Sequence, residues 1–104
     1  MWACLGTNHV AKRMCKHIGD RLVVVWSRTD ESLKRFMEEE KLQCFSTTDL
    51  DQAISMCAIA YINTPNETHY EMTRRCMEAG KHVICEKSLC GTFATVADRI
   101  KQRL

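Results

Sequence analysis

Residues 2–11 have the sequence WACLGTNHVA, in which a short apolar run ends at Gly6 and polar residues follow. Such a run is typical of a buried strand, and the apolar spacing after it is typical of a helix. The stretch is similar to the fingerprint G-x-G-x-x-G/A, in which a strand turns into a helix whose first amides face a diphosphate. Gly6 and Ala11 match its first and last small residues, whereas Asn8 stands at the middle glycine. A strand–turn–helix unit is therefore predicted, and a plain turn without a ligand is the alternative interpretation.

The first loop supplies five candidate residues for binding a dinucleotide. They are Gly6, Thr7, Asn8, His9 and Val10. Asparagine tolerates a left-handed backbone better than most residues do, so we expect the turn to form with Asn8 in its middle. The Asn8 side chain would then have to point away from the phosphates.

Strand patterns and helix patterns alternate along the whole chain. Predicted strands cover residues 2–5, 22–26, 43–45, 58–62 and 82–85, and predicted helices cover residues 9–18, 31–41, 49–56, 67–79 and 92–104. Asp30 is expected to cap the second helix, and Gly80 to end the fourth. This alternation predicts an α/β fold, a doubly wound (Rossmann) parallel sheet of about five strands in the order 3-2-1-4-5, with helices on both faces. Ligands of such sheets bind beyond the carboxyl ends of the strands, here after strands one and four.

A polar loop with one arginine follows the second predicted strand. Ser27 lies 21 residues after Gly6, at the point where NAD-binding proteins carry an acidic residue about 20 residues beyond the fingerprint. Ser27, Arg28 and Thr29 can together hold a 2′-phosphate, because a guanidinium matches phosphate geometry. The loop therefore predicts NADP as the cofactor, with NAD as the alternative. An ordinary polar loop is the other interpretation.

Length and charge exclude several classes of protein. The chain has 104 residues, which predicts a single domain over residues 1–104. Its 15 basic and 13 acidic residues give a net charge of +2 without a clustered basic face, so we expect no nucleic-acid partner. No apolar stretch reaches the roughly 18–20 residues that span a bilayer, and no leader pattern begins the chain, so we expect a cytoplasmic protein with no membrane partner.

The seven cysteines carry no pattern of known chemistry. Their number is odd and none forms a Cys-x-x-Cys pair, so we expect neither a disulfide framework nor a metal site. Cys4, Cys57 and Cys85 lie in apolar runs and are predicted to be small buried residues.

Two later stretches carry a specific resemblance. Thr64-Pro65-Asn66 with His69 follows the fourth strand, and residues 79–83 with Glu86-Lys87 surround the fifth. Together with Ser27-Arg28-Thr29, these motifs resemble the N-terminal nucleotide-binding domain of the Gfo/Idh/MocA oxidoreductases, in register over essentially the whole chain.

The resemblance implies roles for residues of the second half of the chain. Implied cofactor-binding residues are Asn63, Thr64, Pro65, Asn66, His69, Glu86 and Lys87. Lys87 is also the implied catalytic residue, beside the nicotinamide, where a lysine assists proton transfer at the substrate hydroxyl. For His69, bracing of the following helix is the other interpretation. The implied activity is hydride transfer to or from a sugar, polyol or similar substrate.

The chain departs from the family pattern at three points. Ser88 stands where the family has proline after the lysine, and Asn8 stands at the middle glycine. The family's second domain, which completes the substrate site, is absent from these 104 residues. We therefore expect a cofactor-binding domain that is incomplete as an enzyme and meets its small-molecule substrate only with that second domain. The alternative is a non-catalytic nucleotide-binding or interaction module, for which a homo-oligomer could cover the same surface.

Overall fold

The computed structural model describes residues 1–64 and 66–85. Five strands alternate with four helices in this part of the chain. The strands are β1 (Trp2–Leu5), β2 (Leu22–Trp26), β3 (Phe45–Thr47), β4 (Ile59–Ile62) and β5 (His82–Cys85), and the helices are α1 (His9–Ile18), α2 (Asp30–Glu39), α3 (Leu50–Met56) and α4 (Asn66–Glu78). A short 3₁₀ turn, Gly19–Arg21, links α1 to β2. The predicted helix at 92–104 lies outside the described residues.

The sheet has the predicted topology. Its strands are all parallel and lie in the order β3-β2-β1-β4-β5, which confirms the expected 3-2-1-4-5 arrangement. Leu5, the last residue of β1, pairs with Trp26 of β2 and with Ile62 of β4. Three strands thus end at the same level, and the loops that follow them begin side by side.

The sheet is buried on both faces, as its apolar strands predicted. Ala3 and Leu5 of β1 belong to one core cluster, which includes buried residues of α3 and α4. Cys4, between them, belongs to a second cluster with buried residues of α1 and α2. Successive side chains of a strand point to opposite faces, so β1 contributes to both cores. Within the described residues no helix has the length and apolar character of a membrane span.

The start of α2 differs from the prediction. The Thr29 hydroxyl oxygen accepts a hydrogen bond from the Ser32 amide at 3.3 Å, so Thr29 is the N-cap and the predicted cap, Asp30, is the first helical residue. The Thr29 backbone is extended, at φ −124° and ψ 147°, and this geometry lets a side-chain oxygen reach the orphan amides of the first turn. Asp30 instead places its charge at the positive end of the helix dipole.

The third strand was predicted two residues too early. It covers Phe45–Thr47 rather than residues 43–45, because pairing with β2 aligns Phe45 with Val24 and Thr47 with Trp26. Cys44 lies in the connection from α2 and packs against the core cluster beneath that helix. The apolar character of Cys44 therefore reflects packing within a loop. A short apolar run in a sequence does not by itself distinguish a buried loop from a strand.

The predicted burial of the three cysteines is confirmed. Cys4, Cys57 and Cys85 are at most 4% exposed, and the six cysteines of the described residues are free thiols. Cys76 of α4 is fully buried, and burial raises the pKa of its thiol from an ordinary 9.0 to about 12.

This burial predicts a loss of stability at alkaline pH. Above pH 9 the unfolded chain releases the Cys76 proton while the folded chain keeps it, so the free energy of unfolding decreases as the pH rises toward 12. One such thiol contributes a loss of roughly 2 kcal/mol by about pH 10.5. The free energy of unfolding, measured with urea from pH 8 to 10.5, should decline less steeply for Cys76→Ala than for the parent chain. Parallel declines would contradict the prediction.

Candidate functional site

A cavity of about 630 Å³ opens at the carboxyl ends of β1, β2 and β4. This is the edge of the sheet at which the topology predicted a ligand, and the volume is typical of small-molecule sites. The lining residues are Gly6, Thr7, Asn8, Trp26, Ser27, Arg28, Leu50, Asn63, Thr64, Thr68, Glu71 and Met72.

Gly6 makes the turn that follows β1. Its φ is +124°, a conformation that L side chains rarely adopt, and its amide donates to the Trp26 carbonyl at 2.9 Å. A Cβ at this position would lie 2.5 Å from Oδ1 of Asn63, and 3.2 Å from the Asn63 carbonyl carbon. Glycine is therefore required both by the backbone conformation and by the close approach of the loop after β4.

Asn8 is the N-cap of α1, and the expected left-handed conformation is wrong. Its backbone is extended, with φ −76° and ψ 175°, because a capping residue must hold its side chain beside the first helical turn. The Asn8 Oδ1 accepts hydrogen bonds from the amides of Val10 and Ala11, at 3.0 and 3.1 Å. The side chain is thus folded back onto the start of the helix.

Asn8 is also tied to Asn63, the residue after β4. Its Nδ2 donates to the Asn63 carbonyl at 2.6 Å, and its amide donates to Asn63 Oδ1 at 3.3 Å. The Asn63 amide in turn donates to the Leu5 carbonyl at 3.0 Å. Asn63 is only 2% exposed, so its polar groups depend on these partners. We refer to these two hydrogen bonds, both donated by Asn8 and accepted by Asn63, as the Asn8–Asn63 clamp.

A row of hydroxyl groups lies at the end of β2. Ser27 Oγ is 2.5 Å from Ser32 Oγ and 3.4 Å from Thr7 Oγ1, and Ser32 Oγ is 2.8 Å from Thr29 Oγ1. The row joins the first loop to the first turn of α2. Ser32 was not predicted as a site residue, although its place three residues after the cap is the capping-box position, from which a side chain faces the N-cap.

Arg28 lies at the rim of the cavity with an exposed side chain. In the described part of the chain no carboxylate is within ion-pair distance of it, whereas Glu31 pairs with Arg35 at 3.4 Å. The first turn of α2 also carries Asp30. An anion that bound here would be attracted by Arg28 and repelled by the carboxylates in the first turn of α2.

The opposite wall of the cavity is more apolar and was missed by sequence reasoning. Leu50, Met72 and Trp26 line it. The Trp26 side chain is held in place because its Nε1 donates to the Thr48 carbonyl at 2.9 Å. Thr68, Glu71 and Met72 are spaced as one face of a helix, so this spacing on the helix after strand four was the available signal.

Glu71 places one carboxylate in the lining of the cavity. Arg74 holds it through Nε at 3.2 Å and through a terminal nitrogen at 2.5 Å. These hydrogen bonds lower the pKa of Glu71, so the group is a carboxylate and a hydrogen-bond acceptor at neutral pH.

Within the described part of the chain, the other predicted site residues lie at the starts of α1 and α2 and within α4. His9 and Val10 form the first turn of α1, and Thr29 caps α2. His69 is 5% exposed within α4 and is not part of the cavity lining. Asn66 is the first residue of α4. The predicted Pro65, Glu86 and Lys87 lie outside the described residues.

These features meet the requirements of a dinucleotide. The start of α1 offers a positive dipole end for a diphosphate, with Asn8 Oδ1 as a competing acceptor for its Val10 and Ala11 amides. The hydroxyl row offers partners for a ribose, and Arg28 offers a cation. Leu50 and Met72 offer an apolar surface for a base. The residues present therefore fit a dinucleotide lying across the ends of β2, β1 and β4.

Fold and site together define a nucleotide-binding Rossmann domain. The model of the Gfo/Idh/MocA group, described as an oxidoreductase family with an NAD-binding Rossmann fold, matches residues 3–102. The chain belongs to this family, as its motifs indicated.

Individual relatives agree with this assignment. The chain is 33% identical over 91 residues to scyllo-inositol 2-dehydrogenase (NADP(+)) IolU of Bacillus subtilis, a match that covers 83% of this chain and 28% of the relative. It is 35% identical over 69 residues to scyllo-inositol 2-dehydrogenase (NADP(+)) IolW of the same organism, covering 66% of this chain and 18% of the relative. The chain thus spans less than a third of the length of either relative.

A solved structure shows the same fold at lower sequence similarity. UDP-N-acetylglucosamine 3-dehydrogenase GnnA from Acidithiobacillus ferrooxidans superposes with a TM-score of 0.78 and 21% identity, covering 98% of this chain and 33% of that one.

The close approach of Gly6 to Asn63 predicts the effect of adding a methyl group. Gly6→Ala should lower the free energy of unfolding by about 1–2 kcal/mol from the positive φ alone, and by more because the Cβ meets Asn63. Gly19→Ala is the matched control, since Gly19 has φ +61° and no atom within 4 Å of an added Cβ. Urea unfolding of both variants should show the larger loss for Gly6→Ala, and equal losses would contradict the close contact.

Proposed function

We propose that this chain binds NADP(H), as the nucleotide-binding part of an oxidoreductase. The observation that carries the proposal is the polar loop after β2, where Arg28 lines the cavity beside the hydroxyl row. The names of two relatives, both scyllo-inositol 2-dehydrogenases, include NADP(+), which supports the same cofactor here.

The 2′-phosphate would be held between Arg28 and the hydroxyls of Ser27 and Thr29. A carboxylate directly after β2 would favour a free ribose hydroxyl and repel a phosphate. This chain has Ser27 at that position. Asp30 and Glu31 oppose a phosphate from the first turn of α2, and the ion pair with Arg35 offsets part of the Glu31 charge. Arg28 would therefore decide whether the phosphate is accepted.

The other groups of the cofactor would lie along the same cavity. The base would pack against Leu50 and Met72, whose side chains form the apolar wall. Asn63 and Thr64 would face the ribose on the nicotinamide side. The Thr64 Oγ1 donates a hydrogen bond to Met72 Sδ at 3.2 Å, which orients its side chain. The family resemblance extends this side to Pro65, Asn66, His69 and Glu86.

The reaction proposed for the whole enzyme is oxidation or reduction at a hydroxyl or carbonyl of a sugar or polyol. The nicotinamide, when bound, accepts or donates the hydride. Lys87 would exchange the proton of the reacting oxygen, as the family motif implies. The rest of the substrate site would come from a second domain, because the matched region is less than a third of either relative.

Binding can be followed through Trp26, which lines the cavity. Trp2→Phe leaves Trp26 as the single tryptophan of the chain, and NADP⁺, which unlike NADPH does not absorb tryptophan emission, should change the emission of this variant in a saturable way. Trp26→Phe is the control and should show no such signal from Trp2. A folded protein that gives no saturable response, and no heat of binding by calorimetry, would contradict the proposal.

Removal of the guanidinium should separate the two cofactors. Arg28→Ala should weaken NADPH binding by about tenfold or more, the loss expected for charge-assisted hydrogen bonds, and should change NADH binding by less than about twofold. Arg13→Ala removes one exposed charge from α1, away from the cavity, and is the matched control for net charge. Equal losses for the two cofactors would remove the 2′-phosphate assignment.

A further inference from the structure

We infer that the Asn8 side chain competes with the cofactor diphosphate for the amides at the start of α1, and so sets the affinity of the site. The inference rests on the proposed binding of a dinucleotide. It concerns a residue at which this chain departs from the glycine-rich fingerprint.

The competition follows from the hydrogen bonds of Asn8. The first amides of a helix have no acceptor within the helix, and a bound diphosphate takes them. Here the Asn8 Oδ1 already accepts from Val10 and Ala11, at 3.0 and 3.1 Å. A carboxamide oxygen thus stands where a phosphate oxygen would accept the same hydrogen bonds.

The Asn8 side chain is also held in place through its amide nitrogen, Nδ2. Its Nδ2 donates to the Asn63 carbonyl at 2.6 Å, and Asn63 is buried. If the carboxamide turned away from the helix, it would give up the cap and this hydrogen bond together. The diphosphate would have to replace both interactions or bind through fewer amides.

Glycine at position 8 would remove the competitor without strain. The Asn8 backbone, at φ −76° and ψ 175°, is extended and open to any residue. Glycine is also an acceptable N-cap residue, so the start of the helix should stay folded. The Val10 amide would then be free to donate to a phosphate oxygen.

Serine at position 8 provides the matched control. A serine hydroxyl caps a helix about as well as an asparagine side chain does, so it would still occupy an amide of the first turn. It is too short to keep the Nδ2 hydrogen bond to Asn63. Asn8→Ser therefore loses the Nδ2 hydrogen bond and keeps the cap, whereas Asn8→Gly loses both, and the backbone amide of position 8 can still donate to Asn63 in each variant.

The test compares NADPH binding by the parent, Asn8→Gly and Asn8→Ser, each checked for folding by circular dichroism. Asn8→Gly should bind about fivefold more tightly, because the diphosphate then displaces neither the side-chain cap nor the Nδ2 hydrogen bond to Asn63. Asn8→Ser, which keeps a cap but loses the Nδ2 hydrogen bond, should bind with an affinity between those of the parent and Asn8→Gly. If the parent binds and Asn8→Gly binds equally or more weakly, the inference is overturned and the proposed function stands. If none of the three binds, both are overturned.

A second measurement uses the parent alone and holds even if a variant does not fold. NADPH, and separately inorganic pyrophosphate, is added to the ¹⁵N-labelled chain. Displacement of the carboxamide should shift the Asn8 side-chain NH₂ resonances together with the Val10 amide. Saturation with NADPH that leaves the Asn8 side-chain resonances unchanged would overturn the inference.

Discussion

The close approach of two loops, after β1 and after β4, is the constraint on which the site depends. Gly6 passes so near Asn63 that a side chain is excluded, and its amide bonds to the end of β2. Asn63 completes the contact by bonding to Leu5 and to Asn8. These contacts hold the ends of three parallel strands at one level, so the loops form a single surface rather than three separate turns.

The same constraint explains why a cavity opens here. The chain leaves β1 toward α1 on one face of the sheet and leaves β4 toward α4 on the other face. Two neighbouring loops therefore diverge, and the space between them is filled by no element of the described residues. The side chains of α3 and α4 form one wall of this space and the loop after β2 forms another. The location of the site is a result of topology, and its chemistry is a result of the loop residues.

Much of this arrangement could be predicted from the sequence, because strongly apolar strands and short connections leave few alternatives. The strand order and the loop residues Gly6, Ser27 and Arg28 followed from position alone. The conformation of Asn8 did not, because the choice between a left-handed turn and an N-cap depends on where its side chain finds partners across the sheet. Ser32 and Leu50 were also missed, since each reaches the site from a helix whose orientation is set by packing. The position of β3, two residues later than predicted, is likewise set by tertiary contacts, here its pairing with β2.

The row of hydroxyls from Thr7 through Ser27 and Ser32 to Thr29 has a further consequence. Each hydroxyl can donate one proton and accept others, so the direction of donation along the row can reverse by rotation of the O–H bonds alone. The row can present a donor to a phosphate oxygen or an acceptor to a ribose hydroxyl without moving a heavy atom. A carboxylate in its place would be an acceptor only. The end of β2 is thus polar without a fixed hydrogen-bonding direction, so under the proposed function discrimination between the two nicotinamide cofactors would fall to the charge of Arg28 beside it.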